Sequence, residues 1–407
     1  MNVGELVRRA LRGQAAAQPP AGAGLADRVP AVRRRRRTRR LASTAAATAA
    51  VVAVAVAVAV PLLDAGKSDV RPSGAVQRNG ITAHPDQSPP RQLVAAGQTA
   101  LAAYHTSRTV PLTDDSKIGV RTYRLLDPRT GTCVKDTWWA FAAVAPGLRA
   151  AAVLEQTLPV RRIGLLDLAT RKVGRWIPVG HGVGGLAFSY DGTGLLATTY
   201  DANSDTRGRV ENVKGGLSWG PVSTPSGRTG FYDIDVASGK AAWTGVGAGS
   251  DTFARADFSC SRTGGQVYAQ VIGDRDGIRQ FYGLDGEKTA VPADERYLRA
   301  DVGARLSPNG RYAALGLTKE VAPGKSYSSI RDPRTGKEVT KVRGAEMLAW
   351  ADDRRLIAWE RAGGLDEPYR PRLVLVTIGT DGTVPLSGAQ KETYAGIDAW
   401  QPVFARR

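Results

Sequence analysis

Apolar and polar positions follow three different patterns along the chain. Residues 41–63 form one run without a charge, residues 64–91 hold almost no large apolar residue, and from residue 92 short apolar runs alternate with turns. No stretch beyond residue 92 keeps the period of an amphipathic helix. The pattern therefore predicts one long apolar segment near the start and an all-β region over most of the chain.

The uncharged run from Leu41 to Leu63 holds ten alanines, six valines and three leucines between Arg40 and Asp64. A helix of this length measures about 34 Å, enough for a hydrocarbon core of about 30 Å. Because lipid offers no hydrogen bonds to the backbone, a helix is favoured there. We expect a transmembrane helix in membrane lipid. A cleaved signal peptide is the alternative, although the 40-residue leader argues against it.

The charges beside this run are unequal. Seven arginines precede it, namely Arg33, Arg34, Arg35, Arg36, Arg37, Arg39 and Arg40. Such a cluster stays on the cytoplasmic side and contacts anionic headgroups. We therefore expect a single-pass protein of the cell membrane with a cytoplasmic N-terminus and an extracytoplasmic C-terminal region. Nucleic-acid binding is disfavoured, since no aromatic residue lies among the arginines.

Four regions follow from these patterns. Residues 1–40 are a basic cytoplasmic tail, in which Asn2 and Glu5 favour a short helix. That helix is a possible contact for a cytoplasmic protein. Residues 41–63 are the transmembrane helix, residues 64–91 a Pro/Gly-rich stalk, and residues 92–407 the folded domain.

Two short sequence motifs, here called the first and second phrase, repeat in the folded domain. The first is an apolar residue, a small residue and a turn, with copies that start at Phe141, Phe188, Phe258, Leu306 and Leu348. The second is a strand ending in an Asp-based turn, with copies at Asp127–Gly131, Asp167–Arg171, Asp235–Gly239 and Asp332–Gly336, and looser ones at Asp285 and Asp381. The aspartate accepts from turn N–H groups and the glycine takes a positive φ. Arg171, in place of glycine, makes the second copy the poorest.

The first phrase recurs after 42 to 48 residues, apart from one interval of 70. This spacing is typical of β-propeller blades of four short strands. A strand at Trp400–Phe404 matches the first strand of a unit, but no further strands follow it. Strands at Ala100–Tyr104 and Val120–Leu126 match the middle strands of a unit, but no first strand precedes them. We expect the two ends to join in one blade, which closes the ring. The count is then six blades, with seven as the alternative.

These residues resemble the WD40-like and TolB-type β-propellers, which repeat a Ser-Pro-Asp-Gly-like turn followed by an Asp-x-x-Thr-Gly turn. Leu306–Gly310 with Asp332–Gly336 is the best match, and the likeness covers roughly residues 92–404. The layout with 44 arginines and 12 lysines also resembles actinobacterial single-pass propeller proteins. The resemblance implies a sensory or interaction role at the cell surface and no catalytic residues.

One insertion explains the long interval. About 21 extra residues lie within 201–228, between the second and third strands of their unit. The candidate ligand-binding residues of this loop are Asn203, Arg207, Arg209, Asn212 and Trp219. Long loops with an aromatic anchor are plausible contact surfaces. A tolerated surface insertion without a ligand is the alternative.

Catalytic and metal-binding signals are weak. Two cysteines and three histidines exclude a disulfide scaffold and a four-cysteine zinc site. The G-x-S-x-G string at 216–220 has no strand–turn–helix context. We therefore expect no catalytic residue, metal or cofactor, and a binding or sensory module for a protein, peptide or glycan. The alternative is an extracytoplasmic hydrolase or lyase that uses the axial face of the propeller.

Overall fold

The computed structural model describes residues 80–211, 217–221, 227–247, 255–271, 278–322, 325–363, 370–391 and 399–407. These residues form strands and turns, with no helix among them, so the predicted all-β class is confirmed. A helix suited to crossing a membrane is likewise absent from this part of the chain. The tail, the arginine cluster, the apolar run 41–63 and most of the predicted stalk lie outside the described residues.

The first sheet brings both ends of the described chain together. Its strands are β1 (Ile81–Thr82), β2 (Ala95–Ala96), β3 (Thr99–Thr113), β4 (Ser116–Asp127), β5 (Thr132–Asp136), β11 (Thr206–Glu211), β12 (Leu217–Pro221) and β26 (Gln401–Arg406). The last strand, β26, pairs antiparallel with β3, with Gln401 opposite His105 and Arg406 opposite Thr99. The sequence predicts this pairing of the two ends.

The second sheet combines two units through one long strand. Its strands are β6 (Trp139–Val144), β7 (Ala150–Glu155), β8 (Val160–Asp167), β9 (Val173–Phe188), β10 (Gly194–Tyr200), β13 (Arg228–Asp235) and β14 (Ala241–Gly245). The first part of β9 pairs with β8 as far as Val183, and its last residues pair with β10 as far as Phe188. One strand thus ends one four-stranded unit and begins the next.

Three smaller antiparallel sheets complete the described residues. The third contains β15 (Ser259–Cys260), β16 (Gln266–Val271), β17 (Ile278–Gly283) and β18 (Lys288–Thr289). The fourth contains β19 (Ala313–Ala322), β20 (Lys325–Arg331) and β21 (Glu338–Arg343), and the fifth β22 (Glu346–Trp350), β23 (Arg355–Ala362), β24 (Arg370–Thr377) and β25 (Thr383–Pro385). A single bridge from Leu306 to Ala313 adds an inner segment to the fourth sheet.

The repeated turns have the predicted chemistry. The carboxylate of Asp332 accepts from the N–H groups of Arg334 and Thr335 at 2.8 and 2.9 Å, and Gly336 has a φ of 73°. Gly131 and Gly239 hold the same conformation in their copies. In the poorest copy Arg171 itself takes a φ of 62°, so the turn geometry is kept without glycine.

Neighbouring sheets pack through aromatic contacts. Phe258 meets Phe231 of β13 and Tyr282 of β17 edge-on, with ring centroids 5.2 and 5.7 Å apart. Trp400 meets Trp359 of β23 and Tyr104 of β3 at 4.9 and 5.6 Å. Edge-to-face pairs add about 0.5–1.5 kcal/mol each beyond their area burial. These contacts therefore fix the second sheet against the third, and the fifth against the first.

The segment before β2 packs on the sheets. The N–H of His84 donates to the carbonyl of Leu386 at 2.9 Å, and β1 pairs with β2. His84 is half-buried, whereas its surroundings in the sequence predict an exposed loop. The final residues of the expected stalk, 80–91, are thus part of the folded region.

Candidate functional site

A cavity of about 650 Å³ lies where segments of several sheets meet. Its wall includes six separate segments of the described chain, within Phe141–Pro146, Leu186–Tyr190, Cys260–Arg262, Gly303–Pro308, Leu348–Trp350 and Val403–Arg406. Small-molecule sites commonly occupy about 300–1,000 Å³. This central cavity therefore has the size of a ligand site, and no single sheet forms it.

Apolar side chains form part of the wall of the central cavity. Leu186, Phe188, Leu348 and Phe404 come from three sheets and contribute to its wall. Each belongs to an inner strand, where alternate side chains point inward. Charged residues reach the cavity wall in two groups: Arg121 belongs to the first, and Arg262, Arg305 and Arg406 belong to the second. The two groups differ in how their charges are compensated.

The first group is a network that we call the Asp205 clasp, formed by Arg121, Tyr200, Asp205, Arg255 and Asp257. Nη1 and Nη2 of Arg121 donate to Oδ2 and Oδ1 of Asp205 at 2.5 and 2.7 Å. Arg255 donates to the same carboxylate through Nε and Nη2, at 2.9 and 3.1 Å. Two guanidinium groups thus hold one carboxylate, which is 8% exposed.

The clasp continues to a second carboxylate. Nη1 of Arg255 donates to Asp257 at 2.6 Å, and the hydroxyl of Tyr200 donates to the other oxygen of Asp257 at 2.8 Å. The Tyr200 oxygen in turn accepts from the N–H of Ala256 at 2.9 Å. The two arginines and two aspartates balance in charge, so the clasp offers no free anion or cation site.

Burial and charge act in opposite directions on these groups. Burial raises the pKa of Asp205, but hydrogen bonds and charge from Arg121 and Arg255 outweigh it, so the pKa lies below its ordinary value. Burial, reinforced by the Asp257 charge, raises the pKa of Tyr200 well above its ordinary value. Asp205 is therefore ionised and Tyr200 protonated near neutral pH.

His105 of β3 lines the cavity beside the clasp. Its ring lies 5.1 Å from that of Tyr123, and Nδ1 is 3.4 Å from the hydroxyl of Ser107. Burial, and then the positive charge of Arg121, lowers the pKa of His105 to about 4. His105 is thus a neutral imidazole at the cavity wall. The sequence does not single it out, because its charged neighbours are distant along the chain.

The second group, which we call the arginine mouth, contains Tyr190, Arg262, Arg305 and Arg406. Guanidinium carbons of Arg262 and Arg406 lie 3.9 and 4.4 Å from the centroid of the Tyr190 ring. Nη1 of Arg262 donates to the carbonyl of Ser307 at 2.9 Å. Within the described ranges, no carboxylate lies within 4.0 Å of the three arginines' side-chain nitrogens. The mouth is therefore positively charged.

The predicted insertion is a β-hairpin of the first sheet, not a loop. Its strands β11 and β12 pair with each other, and Thr206 of β11 lies opposite Ile118 of β4. Asn203 accepts from the N–H of Asp205, and the ring of Trp219 lies 4.3 Å from Nζ of Lys117 and 5.6 Å from the guanidinium carbon of Arg209. Arg207 stands opposite Lys117 in the strand register.

The candidate loop residues and the central cavity are separate places. None of Asn203, Arg207, Arg209 and Trp219 lines the cavity. Asn212 lies outside the described residues. The insertion is linked to the cavity wall through a different residue, Asp205, which binds the wall residue Arg121 and which the sequence analysis does not select.

The described ranges contain few residues suited to metal binding or thiol chemistry. No group of three His, Cys, Asp or Glu side chains there is arranged to hold a metal ion. Cys133 is buried, Cys260 is half-buried beside the cavity, and both are free. Burial raises the pKa of each thiol to about 12, which keeps both protonated.

Comparisons with known proteins give fold similarities only. No protein-family model and no curated protein matches the chain. TolB from Acinetobacter baumannii aligns over 75% of this chain and 66% of its own, with 16% identity and a TM-score of 0.38. The chain thus spans slightly less than two-thirds of the length of TolB.

Two further solved structures are similar at the same level. Oligogalacturonate lyase from Vibrio parahaemolyticus aligns over 70% of this chain and 77% of its own, with 15% identity and a TM-score of 0.41. A chain of the mitotic checkpoint complex aligns over 88% and 99%, with 11% identity and a TM-score of 0.38. The chain is thus similar in part to a TolB, to a lyase and to a chain of the mitotic checkpoint complex.

Proposed function

We propose that the protein is a membrane-anchored, extracytoplasmic binding module whose six four-stranded units form a closed β-propeller of the WD40-like or TolB type. The single observation that carries this proposal is that six separate segments of the described chain line one cavity. The pairing of β26 with β3 supports the closure, because it completes the first unit from both ends of the domain. Strands arranged radially around an axis have this inner wall.

Binding fits the chemistry of the cavity. Its apolar side chains offer area to a ligand, and its charged side chains offer orientation. Both aspartates of the clasp are bound by arginine or tyrosine, so they serve to hold the wall together. The proposed ligand is a protein segment, peptide or glycan outside the membrane.

Membrane anchoring is the second part of the proposal. The uncharged run 41–63 is long enough to span a bilayer, and the arginines at 33–40 favour a cytoplasmic start. The β-hairpin with Trp219 and Arg209 provides a second contact surface on the same extracytoplasmic domain. The tail 1–40 is then available to a cytoplasmic protein.

Protease treatment of intact cells tests the orientation. The full chain carries one epitope tag before residue 1 and another after residue 407. We expect the C-terminal tag to disappear while a small fragment with the N-terminal tag survives. Survival of both tags in intact cells, with loss of both after lysis, contradicts the proposal.

Photo-cross-linking tests binding in the cavity. A benzophenone amino acid replaces Tyr190 at the cavity wall, and a matched variant carries it at Trp138, which is 76% exposed and not part of the wall. We expect one defined adduct from position 190 in cells and none from position 138. Equal labelling at both positions, or no adduct at 190, contradicts a binding role for the cavity.

One observation favours the alternative of a hydrolase or lyase. His105 is a neutral imidazole at the cavity wall, the state in which histidine accepts a proton. The captured ligand is incubated with the purified full chain. If it is converted, and His105→Gln stops the conversion without weakening capture, the hydrolase or lyase alternative is correct. Stoichiometric capture without conversion favours the binding module.

A further inference from the structure

We infer that the arginine mouth binds the carboxylate of a ligand whose apolar body packs against the apolar side chains of the central cavity. The inference rests on the proposed function, because it assigns a chemistry to the ligand of that cavity. The same chemistry occurs in the C-terminus of an apolar peptide, which belongs to the ligand classes proposed above, and in a fatty acid, which lies outside them. The experiment below separates these two sources.

The two arginines at Tyr190 are held in place before any ligand arrives. Both guanidinium carbons lie within 4.4 Å of the Tyr190 ring centroid. Arg262 donates to the carbonyls of Ser307 and Pro308, and Nη1 of Arg406 donates to the carbonyl of Tyr190 at 3.3 Å. A guanidinium has five N–H donors, so each arginine keeps donors for a carboxylate.

The nearby carboxylates do not neutralise the mouth. Glu295 accepts from the backbone N–H of Arg262 at 2.7 Å and from the guanidinium of Arg279 at 3.0 Å. Asp191, next to Tyr190, accepts from the Ser189 hydroxyl at 2.6 Å and from a turn N–H. Glu295 is thus matched by Arg279, and Asp191 is used inside its turn.

Arg262 and Arg406 therefore leave the mouth with an excess of positive charge. Arg305 adds a further cation, since it lines the same cavity, and its guanidinium carbon lies 5.2 Å from the Tyr268 ring. The Asp205 clasp is the internal contrast, because its two arginines are matched by two aspartates. A ligand carboxylate is favoured at the mouth and not at the clasp.

The apolar side chains of the cavity wall define the rest of the ligand. Leu186, Phe188, Leu348 and Phe404 offer no hydrogen-bond partner to the part of a ligand that packs against them. An apolar body is therefore favoured at these side chains. A ligand with an apolar body and one terminal carboxylate matches both these apolar side chains and the arginine mouth.

Calorimetric titration of the full chain in lipid nanodiscs tests this assignment. The peptide probe is N-acetyl-Leu-Phe with a free carboxylate, and the fatty-acid probe is octanoate. Their amides, N-acetyl-Leu-Phe-amide and octanamide, have nearly the same shape without the charge. We expect at least one acid to bind about 10-fold or more tightly than its amide, since charged hydrogen bonds are roughly twice as strong as neutral ones. The acid that binds identifies the source.

Arg406→Gln and Arg305→Gln are the test variants, and Arg311→Gln is the matched control. Arg311 is exposed in the neighbouring turn and does not line the cavity. We expect each test variant to weaken acid binding about 10-fold, to leave amide binding unchanged, and to differ clearly from Arg311→Gln. Unfolding midpoints measured in parallel show that the variants are folded.

Three results would overturn the inference: equal binding of acid and amide, equal effects of Arg406→Gln and Arg311→Gln, or no binding of any probe at millimolar concentration. Ala143→Trp places a bulky side chain at the cavity wall. It distinguishes failure of the carboxylate assignment from failure of the proposed function. If it removes acid and amide binding alike, or removes the adduct at position 190, the cavity is a ligand site of a different chemistry.

Discussion

Asp205 and Arg121 form a bidentate ion pair, with their nitrogen and oxygen atoms 2.5 and 2.7 Å apart. Arg121 belongs to β4, whereas Asp205 precedes the inserted strand β11, 84 residues further along the chain. Arg255, from the segment before β15, binds the same carboxylate. One aspartate of the insertion thus connects three parts of the molecule beside the central cavity.

Asp205→Asn removes the charge that holds both arginines. We expect it to lower the free energy of unfolding by about 3–5 kcal/mol, because partly buried Arg121 loses its carboxylate and Arg255 keeps only Asp257. Arg121→Met should cost less, since Arg255 still pairs with the carboxylate. Urea unfolding of the full chain, followed by tryptophan fluorescence, measures both.

The exposed pair of Arg162 and Glu155 provides the control for this prediction. Its side chains are 53% and 36% exposed, so water screens the interaction. Arg162→Gln should shift the urea midpoint much less than Asp205→Asn. Equal shifts would show that the Asp205 clasp contributes no more than a surface pair.

His105 makes stability depend on pH. Its pKa is about 4 in the folded protein, against about 6.5 in an unfolded chain. Between these values the unfolded chain binds a proton that the folded protein does not. Stability should therefore fall by up to about 3 kcal/mol as the pH drops from about 6.5 to 4.

The comparison of wild type with His105→Gln checks the histidine prediction. The variant should show a flatter curve over this pH range, whatever its stability at pH 7. The charged groups that act on the ring, Arg121, Asp205 and Arg255, remain in both proteins. Parallel curves would assign the slope to other groups.

Arg171 holds a conformation that glycine holds in the other copies of the turn. A positive φ costs about 1–2 kcal/mol for a residue with a side chain. Its guanidinium, however, binds Asp136 at 2.7 Å, and that carboxylate is only 10% exposed. We expect Arg171→Gly to destabilise the protein by about 1 kcal/mol, because an unpaired buried carboxylate costs about 1–3 kcal/mol.

The sign of this effect should reverse when Asp136 is neutral. In an Asp136→Asn background, Arg171→Gly should stabilise the protein by up to about 1 kcal/mol, since only the backbone strain is then removed. Thermal unfolding of the four proteins in the cycle measures this. An unchanged sign would show that the ion pair does not offset the strain.

Trp219 stabilises the inserted hairpin through Lys117 of β4. Trp219→Ala should speed amide exchange of Arg207 and Arg209 about 5- to 30-fold, the effect of roughly 1–2 kcal/mol. The urea midpoint of the whole domain should stay unchanged, because the hairpin lies at the edge of the first sheet. Trp138→Ala, at an exposed tryptophan, is the control, and equal exchange in both variants would contradict a structural role for Trp219.

Local features of this fold were accessible to sequence analysis. The Asp-based turns at Asp127, Asp235 and Asp332 depend on residues at most four positions apart, and they form as expected. The pairing of β26 with β3 followed from strands that lacked partners. The size and place of the insertion followed from the irregular spacing of a regular repeat.

Features that depend on tertiary contacts were not accessible. Tyr190, Arg262 and Arg406 come from three units and meet only when their turns converge. Each stands alone in the sequence, so no spacing rule selects it. The sequence predicts a loop for the insertion because its extra residues lie between the second and third strands of a regular unit. In the structure these residues instead pair with the long hairpin of β3 and β4.

The antiparallel pairing of residues 401–406 with residues 99–106 imposes an order on biosynthesis. Nearly three hundred residues must leave the ribosome before β3 receives its partner. Until then the apolar residues Ala100, Leu101 and Ala103 of β3 have no neighbouring strand on the side that β26 occupies. A nascent chain truncated before residue 400 consequently keeps an open strand edge, a template for aggregation that only the final residues remove.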